Sequence, residues 1–153
     1  TFRNANNIIN LSKQKQMNRE KLLNLYNKYD LTKDDVYKHQ HYVIITRKGI
    51  EKIQAKENIT ITYEVINCEP NFAVFKANAY ISTKPNTNIE TFGSALKGLS
   101  FKDGNCNTWY VAEMAEKRAL SRAVLKLTGF YELGVFGEDE SEDFKKKITI
   151  KKQ

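Results

Sequence analysis

The strongest constraint on this chain lies in residues 108–131, TWYVAEMAEKRALSRAVLKLTGFY. The stretch has no proline, and its single glycine, Gly129, stands near its end. Ala, Leu, Glu, Lys, Arg and Met dominate it, and these residues lose little freedom in a helix. One long helix is predicted, with Thr108 as N-cap and Gly129 as its stop. Ala115, Ala119 and Ala123 recur at four-residue spacing, with Ala112 beside them. Arg118, Arg122 and Lys126 form a parallel basic ridge, with Lys117 adjacent. Leu120, Val124 and Leu127 make a bulkier face, and Met114 and Leu125 lie on the far side. A surface helix needs one apolar stripe, and this one is apolar on most sides. It reads as a helix packed through its alanines on a sheet, in touch with a second chain, with its ridge turned toward something negative. The alternative for the ridge is a solvated face, supported by pairs such as Glu113–Lys117 at i, i+4.

Charge favours the first reading of the ridge. The net charge is +7 over 153 residues. Residues 138–153 carry five acids and five lysines, so 20 of the 25 basic and 13 of the 18 acidic residues lie in 1–137. The excess therefore sits on the part that folds, which suits a polyanionic partner, nucleic acid first. A hydrophobic content of 41% supports a real core in one domain. No apolar run reaches the roughly 18 residues of a membrane span, so no membrane partner is expected. Residues 1–16 lack the apolar segment of a secretory signal. Cys68 and Cys106 are isolated thiols, which suits a reducing compartment, cytoplasmic or nuclear.

Three regions follow: an N-terminal arm and helix over 1–41, an α+β core over 42–137, and a charged C-terminal tail over 138–153. Residues 1–16 read as a loose arm or frayed helix. Leu22, Leu25, Tyr26 and Tyr29 recur at helical spacing. Thr32 and Asp35 resemble a capping box for one short helical turn. Residues 42–46, YVIIT, predict a strand, and 47–58 a short helix closed by Asn58. Alternation predicts strands over 59–65, 72–82 and 89–95, with turns at 68–71 and 84–88. Short connections make them an antiparallel meander. The predicted class is α+β, a sheet of three to four antiparallel strands packed on a long helix in the order β-α-β-β-β-α, with an extra N-terminal helix. Tyr63, Phe72, Phe75, Tyr80, Phe92 and Trp109 read as core, with Tyr80 and Trp109 the candidates for stacking on bases.

The chain carries no phosphate-cradling glycine motif, no H-E-x-x-H, no cysteine cluster and no G-x-S-x-G. His39 and His41 stand two apart with no further ligand nearby, so no metal site is expected. Glu113 and Glu116 at i, i+3 fit ion pairing better than a metal. The chain reads as a binding protein rather than an enzyme, with no cofactor.

The element order, with the pieces YVIITRKGIEKI (42–53), the meander over 59–95 and AEMAEKRALSRAVLKLTGF (112–130), resembles the single-strand annealing proteins. These are the RAD-fifty-two type and the phage Erf and Sak recombination proteins. The closest local match is Lys117-Arg118-Ala119-Leu120. The resemblance implies a ring or helical homo-oligomer that holds single-stranded DNA in a basic groove. It implies annealing of complementary strands without ATP, in recombination or repair. It also implies Arg47, Lys48, Lys76, Lys117, Arg118, Arg122 and Lys126 as the groove's cations, and a single-strand-binding protein as a possible partner of a C-terminal region. Two rival readings stay open: a structural or adaptor subunit of an oligomeric, phage-type assembly, and a metal-dependent nucleic-acid enzyme.

Overall fold

The computed structural model describes residues 2–99 and 103–140. Helix α1 spans Phe2–Lys28. Strands β1 (Val36–His39) and β2 (Tyr42–Ile45) form a hairpin that turns at Gln40, whose φ is 56°. Helix α2 covers Arg47–Glu57. Strands β3 (Ile59–Glu69), β4 (Phe72–Ile81) and β5 (Lys84–Leu96) pair antiparallel in that order. Helix α3 (Val111–Leu127) follows, then a 3₁₀ turn at Tyr131–Leu133 and strand β6 (Val135–Gly137). The class is α+β, with a three-stranded antiparallel meander packed on a long helix and an additional N-terminal helix.

Local chemistry explains most element ends. Thr46 caps α2, its hydroxyl accepting from Gly49 N at 3.2 Å, and Asn58 closes it in the left-handed region at φ 54°. Gly129 follows the end of α3 with φ 85°, where a side chain would be strained. The start of α3 differs from expectation. The helix begins at Val111, no side chain caps it, and Thr108 instead contacts the Cys106 thiol at 3.4 Å.

Small residues on both sides bring α3 onto the meander. Ala115, Ala119 and Ala123 are fully buried, as are Ala73, Ala77, Ala79 and Ala95 of the sheet. At the closest point β5 carries Gly93, where a methyl group would stand 2.1 Å from Ala115 O and 2.5 Å from Ala119 N. Next to it Thr91 donates its hydroxyl to Ala119 O at 2.7 Å. The other sides of α3 meet β6 and α2 of the same chain. Val124 and Leu125 are buried within the chain, so these parts of its apolar surplus are covered internally.

Several expectations needed revision. The N-terminal helix runs unbroken over Phe2–Lys28, so residues 2–16 are helix rather than a loose arm, with no proline or glycine to interrupt it. Thr32 and Asp35 form a turn, not a helical turn: Asp35 Oδ2 accepts from Thr32 N at 2.9 Å and from Lys52 Nζ at 2.6 Å. Asp35 is fully buried. Burial opposes its charge, but the hydrogen bonds from Lys52 and Thr32 outweigh burial and hold its carboxyl below the usual range. Strand β2 does not extend the meander. It forms a second sheet, β1–β2–β6, in which β6 pairs parallel to it. Phe92 and Trp109 are 50% and 68% exposed and are not core. The core's large rings are Tyr29 and Phe130, 5.8 Å apart between centroids.

Candidate nucleic-acid interface

Strand β5 is an edge strand, and an open edge invites pairing with another chain. Side chains from α3 and from the loop that precedes that helix close the edge. Arg122 Nη1 donates to Phe92 O at 3.1 Å, and Arg118 Nη1 to Ser94 O at 2.8 Å. At Leu96, Asn105 Oδ1 accepts from the backbone N–H at 2.7 Å. Alternate residues along the strand are thereby capped. Two of the three caps are arginines of the basic ridge.

Arg118 is 3% exposed. Its guanidinium also donates to Asn105 O at 2.7 Å and Asp139 O at 3.3 Å. Three carbonyls from three different segments consume it, so it joins β5, the 103–107 loop and the chain after β6. It does not face a groove.

The first residues of the acidic run bind α3 and the start of α2. Glu140 pairs with Arg122 and is 8% exposed. Asp139 accepts from the Ser121 hydroxyl at 3.1 Å, and Glu138 accepts from Arg47 N at 3.1 Å. A carboxylate at the start of α2 is favoured by the helix's unpaired N–H groups. These three residues are therefore bound, not a solvated tail; residues 141–153 of that tail lie outside the described residues.

The remaining predicted cations divide. Lys76 sits on the meander face away from α3, 3.0 Å from Glu64 and 3.6 Å from Glu90. The hydrogen bond to Glu64 raises its pKa. One ammonium between two carboxylates leaves that patch negative. Arg47 makes a 3.3 Å ion pair with Glu51. Its Nη1 is buried and lacks a hydrogen-bond partner among the described residues. Lys48 beside it is exposed, as is Lys126, whose ammonium stands 5.3 Å from the Tyr131 ring centroid. Lys117 is half-buried. Among the described residues, no carboxylate pairs with Lys48, Lys117 or Lys126. The Tyr63 hydroxyl lies within electrostatic reach of Arg47 of α2 and Glu116 of α3. Burial and the Glu116 carboxylate push its hydroxyl up to about 12, against the pull of Arg47.

Of the two aromatic candidates for base stacking, Trp109 is the one at the surface. Trp109 and Tyr110 are 68% and 69% exposed just before α3. Lys97 Nζ lies 3.9 Å from the Trp109 ring centroid, within cation–π range. The seven predicted cations thus do not form one groove. Lys48, Lys117 and Lys126 stay available to solvent, whereas Arg118 and Arg122 hold the fold and Lys76 is neutralised. Tyr80 is half-buried on the outer sheet face.

No family model matches the chain, and no curated protein or solved structure matches it significantly. Among the described residues, no three His, Cys, Asp or Glu side chains converge as metal ligands. No described helix is long and apolar enough to cross a membrane.

Proposed function

We propose that this protein binds single-stranded DNA and anneals complementary strands without ATP, in recombination or repair, working as an assembly of its own copies. The reading starts from the resemblance to the single-strand annealing proteins. The observation that carries it is Trp109, an exposed ring beside the Lys97 ammonium, at the head of a helix that also presents Lys117 and Lys126. Exposed aromatics stack on bases without choosing among them, and nearby cations hold phosphates. The positive balance of residues 1–137 supports the same partner. On this reading Arg47, Lys48, Lys97, Lys117 and Lys126 meet the strand, with Trp109 stacking. A single-strand-binding protein is a further partner, and the cytoplasm or nucleus the place of action.

The test is annealing of two complementary labelled oligonucleotides with EDTA present and no nucleotide. Acceleration over the spontaneous rate is expected. Trp109→Ala should weaken single-strand affinity about tenfold, within the roughly 1–3 kcal/mol of one stacked base. Binding without acceleration reduces the function to passive single-strand binding. Absence of both overturns the proposal.

A further inference from the structure

The N-terminal half of helix α1 carries two exposed apolar residues on the side by which its C-terminal half packs on the body, with Lys15 and Asn18 between the two groups. Leu22, Leu25 and Tyr29 anchor its C-terminal end in the core. At 100° per residue, Ile8 and Leu11 fall in the same arc. Yet they are 64% and 62% exposed. Leu11 lies about 16 Å along the helix from Leu22. No described part of the chain covers it. Lys15, Arg19 and Lys21 lie on or beside that arc, whereas Lys13 and the acid Glu20 lie on the far side of the helix.

A second surface has the opposite character. The meander face away from α3 presents Phe92, 50% exposed, and Leu96, 38% exposed. Phe92 stands opposite Lys76 in the β4–β5 register. The Glu64 and Glu90 carboxylates flank that lysine and leave the patch negative. No described element packs on it.

From these two surfaces we infer that the N-terminal half of α1 docks on the outer meander face of a second copy of this chain. Charge complementarity selects this occupant. Two α1 helices packed through this side would oppose Lys15, Arg19 and Lys21 to the same three residues, which is unfavourable at close range. The acid-flanked sheet face accepts the same helix without that cost. Each copy then offers one helix and one face. The contact is heterologous and propagates to a ring or an open chain. The inference deepens the self-assembly part of the proposed function, and its test involves no DNA.

Sedimentation velocity of the full chain over a range of concentrations tests it. Ile8→Asp with Leu11→Asp removes the helix half, and Glu90→Lys with Phe92→Ser removes the face half. All four positions are solvent-facing, and circular dichroism checks that each variant folds. If the face variant does not fold, Glu64→Lys replaces it. The wild type is expected to grow with concentration, and each variant to associate at least about tenfold more weakly. An equimolar mixture of the two variants should form a dimer that stops there, because one intact helix and one intact face remain. A wild type that stays monomeric overturns the inference. So do face variants that still assemble, which would indicate helix–helix pairing, helix variants that still assemble, and a mixture that stays monomeric. Each of these outcomes leaves the annealing result to be read separately.

Discussion

Replacing Arg118 with methionine keeps an unbranched side chain on α3 and removes the guanidinium. Three carbonyls then lose their donor: Asn105 O at 2.7 Å, Ser94 O at 2.8 Å and Asp139 O at 3.3 Å. A hydrogen bond with a charged donor contributes about 1.5–3 kcal/mol, so the two short ones set a gross loss of about 4 kcal/mol. Relief of the buried charge returns part of this. A net loss of about 2–3 kcal/mol is expected, or about 5–10 °C in Tm for a chain of this size. Urea unfolding followed by far-UV circular dichroism at pH 7 measures it. Lys117→Met is the control and should stay within about 0.5 kcal/mol of the parent. A stable Arg118→Met protein whose single-strand binding has lost salt dependence would refute the reasoning, because the guanidinium would then be meeting phosphate. The double change of Arg118 and Arg122 to alanine, natural from the sequence, should damage the fold as well as any binding.

Gly93→Ala should cost at least about 3 kcal/mol, since the added carbon meets the backbone of α3 rather than a movable side chain; a loss under about 1 kcal/mol in the same urea assay would show that α3 lifts freely. Lys52→Met should cost about 3–5 kcal/mol at pH 7, because it leaves the Asp35 carboxylate buried without its ammonium. The folded-state pKa of Asp35 is depressed, so its contribution is present above about pH 4 and lost as pH falls through the folded value. Acid titration of Asp35→Asn should accordingly show a flatter stability profile below about pH 4, and an unchanged profile would contradict the assignment. Lys48→Ala with Lys117→Ala should leave stability alone and reduce the salt slope of single-strand binding by about 0.7 per lost phosphate contact; an unaltered slope would remove both from the interface.

The periodicities and breakers of the chain were enough to place α2, α3 and the three meander strands in order, because those signals are local, although β5 begins at Lys84, inside the turn expected over 84–88. Alternation marks a strand, four-residue recurrence marks a helix face, and Asn58 and Gly129 supply the positive φ that ends each helix. The alanine face of α3 was legible for the same reason, although its depth of packing depended on Gly93, 22 residues before Ala115. Strand β6 was not legible. Three residues carry no usable period, and their pairing with β2 is made across the chain.

The fate of the cations lay beyond local reading. A four-residue repeat says that Arg118, Arg122 and Lys126 share a side of a helix, and nothing about what faces them. Folding placed a sheet edge against the first two, with the Asp139 carbonyl on Arg118 and the Glu140 carboxylate on Arg122, and left Lys126 in solvent. A buried guanidinium must find acceptors, and backbone carbonyls of β5 and the 103–107 loop supplied them at positions that no spacing marks. Trp109 followed the same logic in reverse. Its size suggests a core, but the close fit of alanine against alanine left no room there for a large ring, so it stands at the surface beside Lys97. Sequence period sets which residues travel together along an element; the partners of a charge or a ring are set by which elements the whole chain brings within reach.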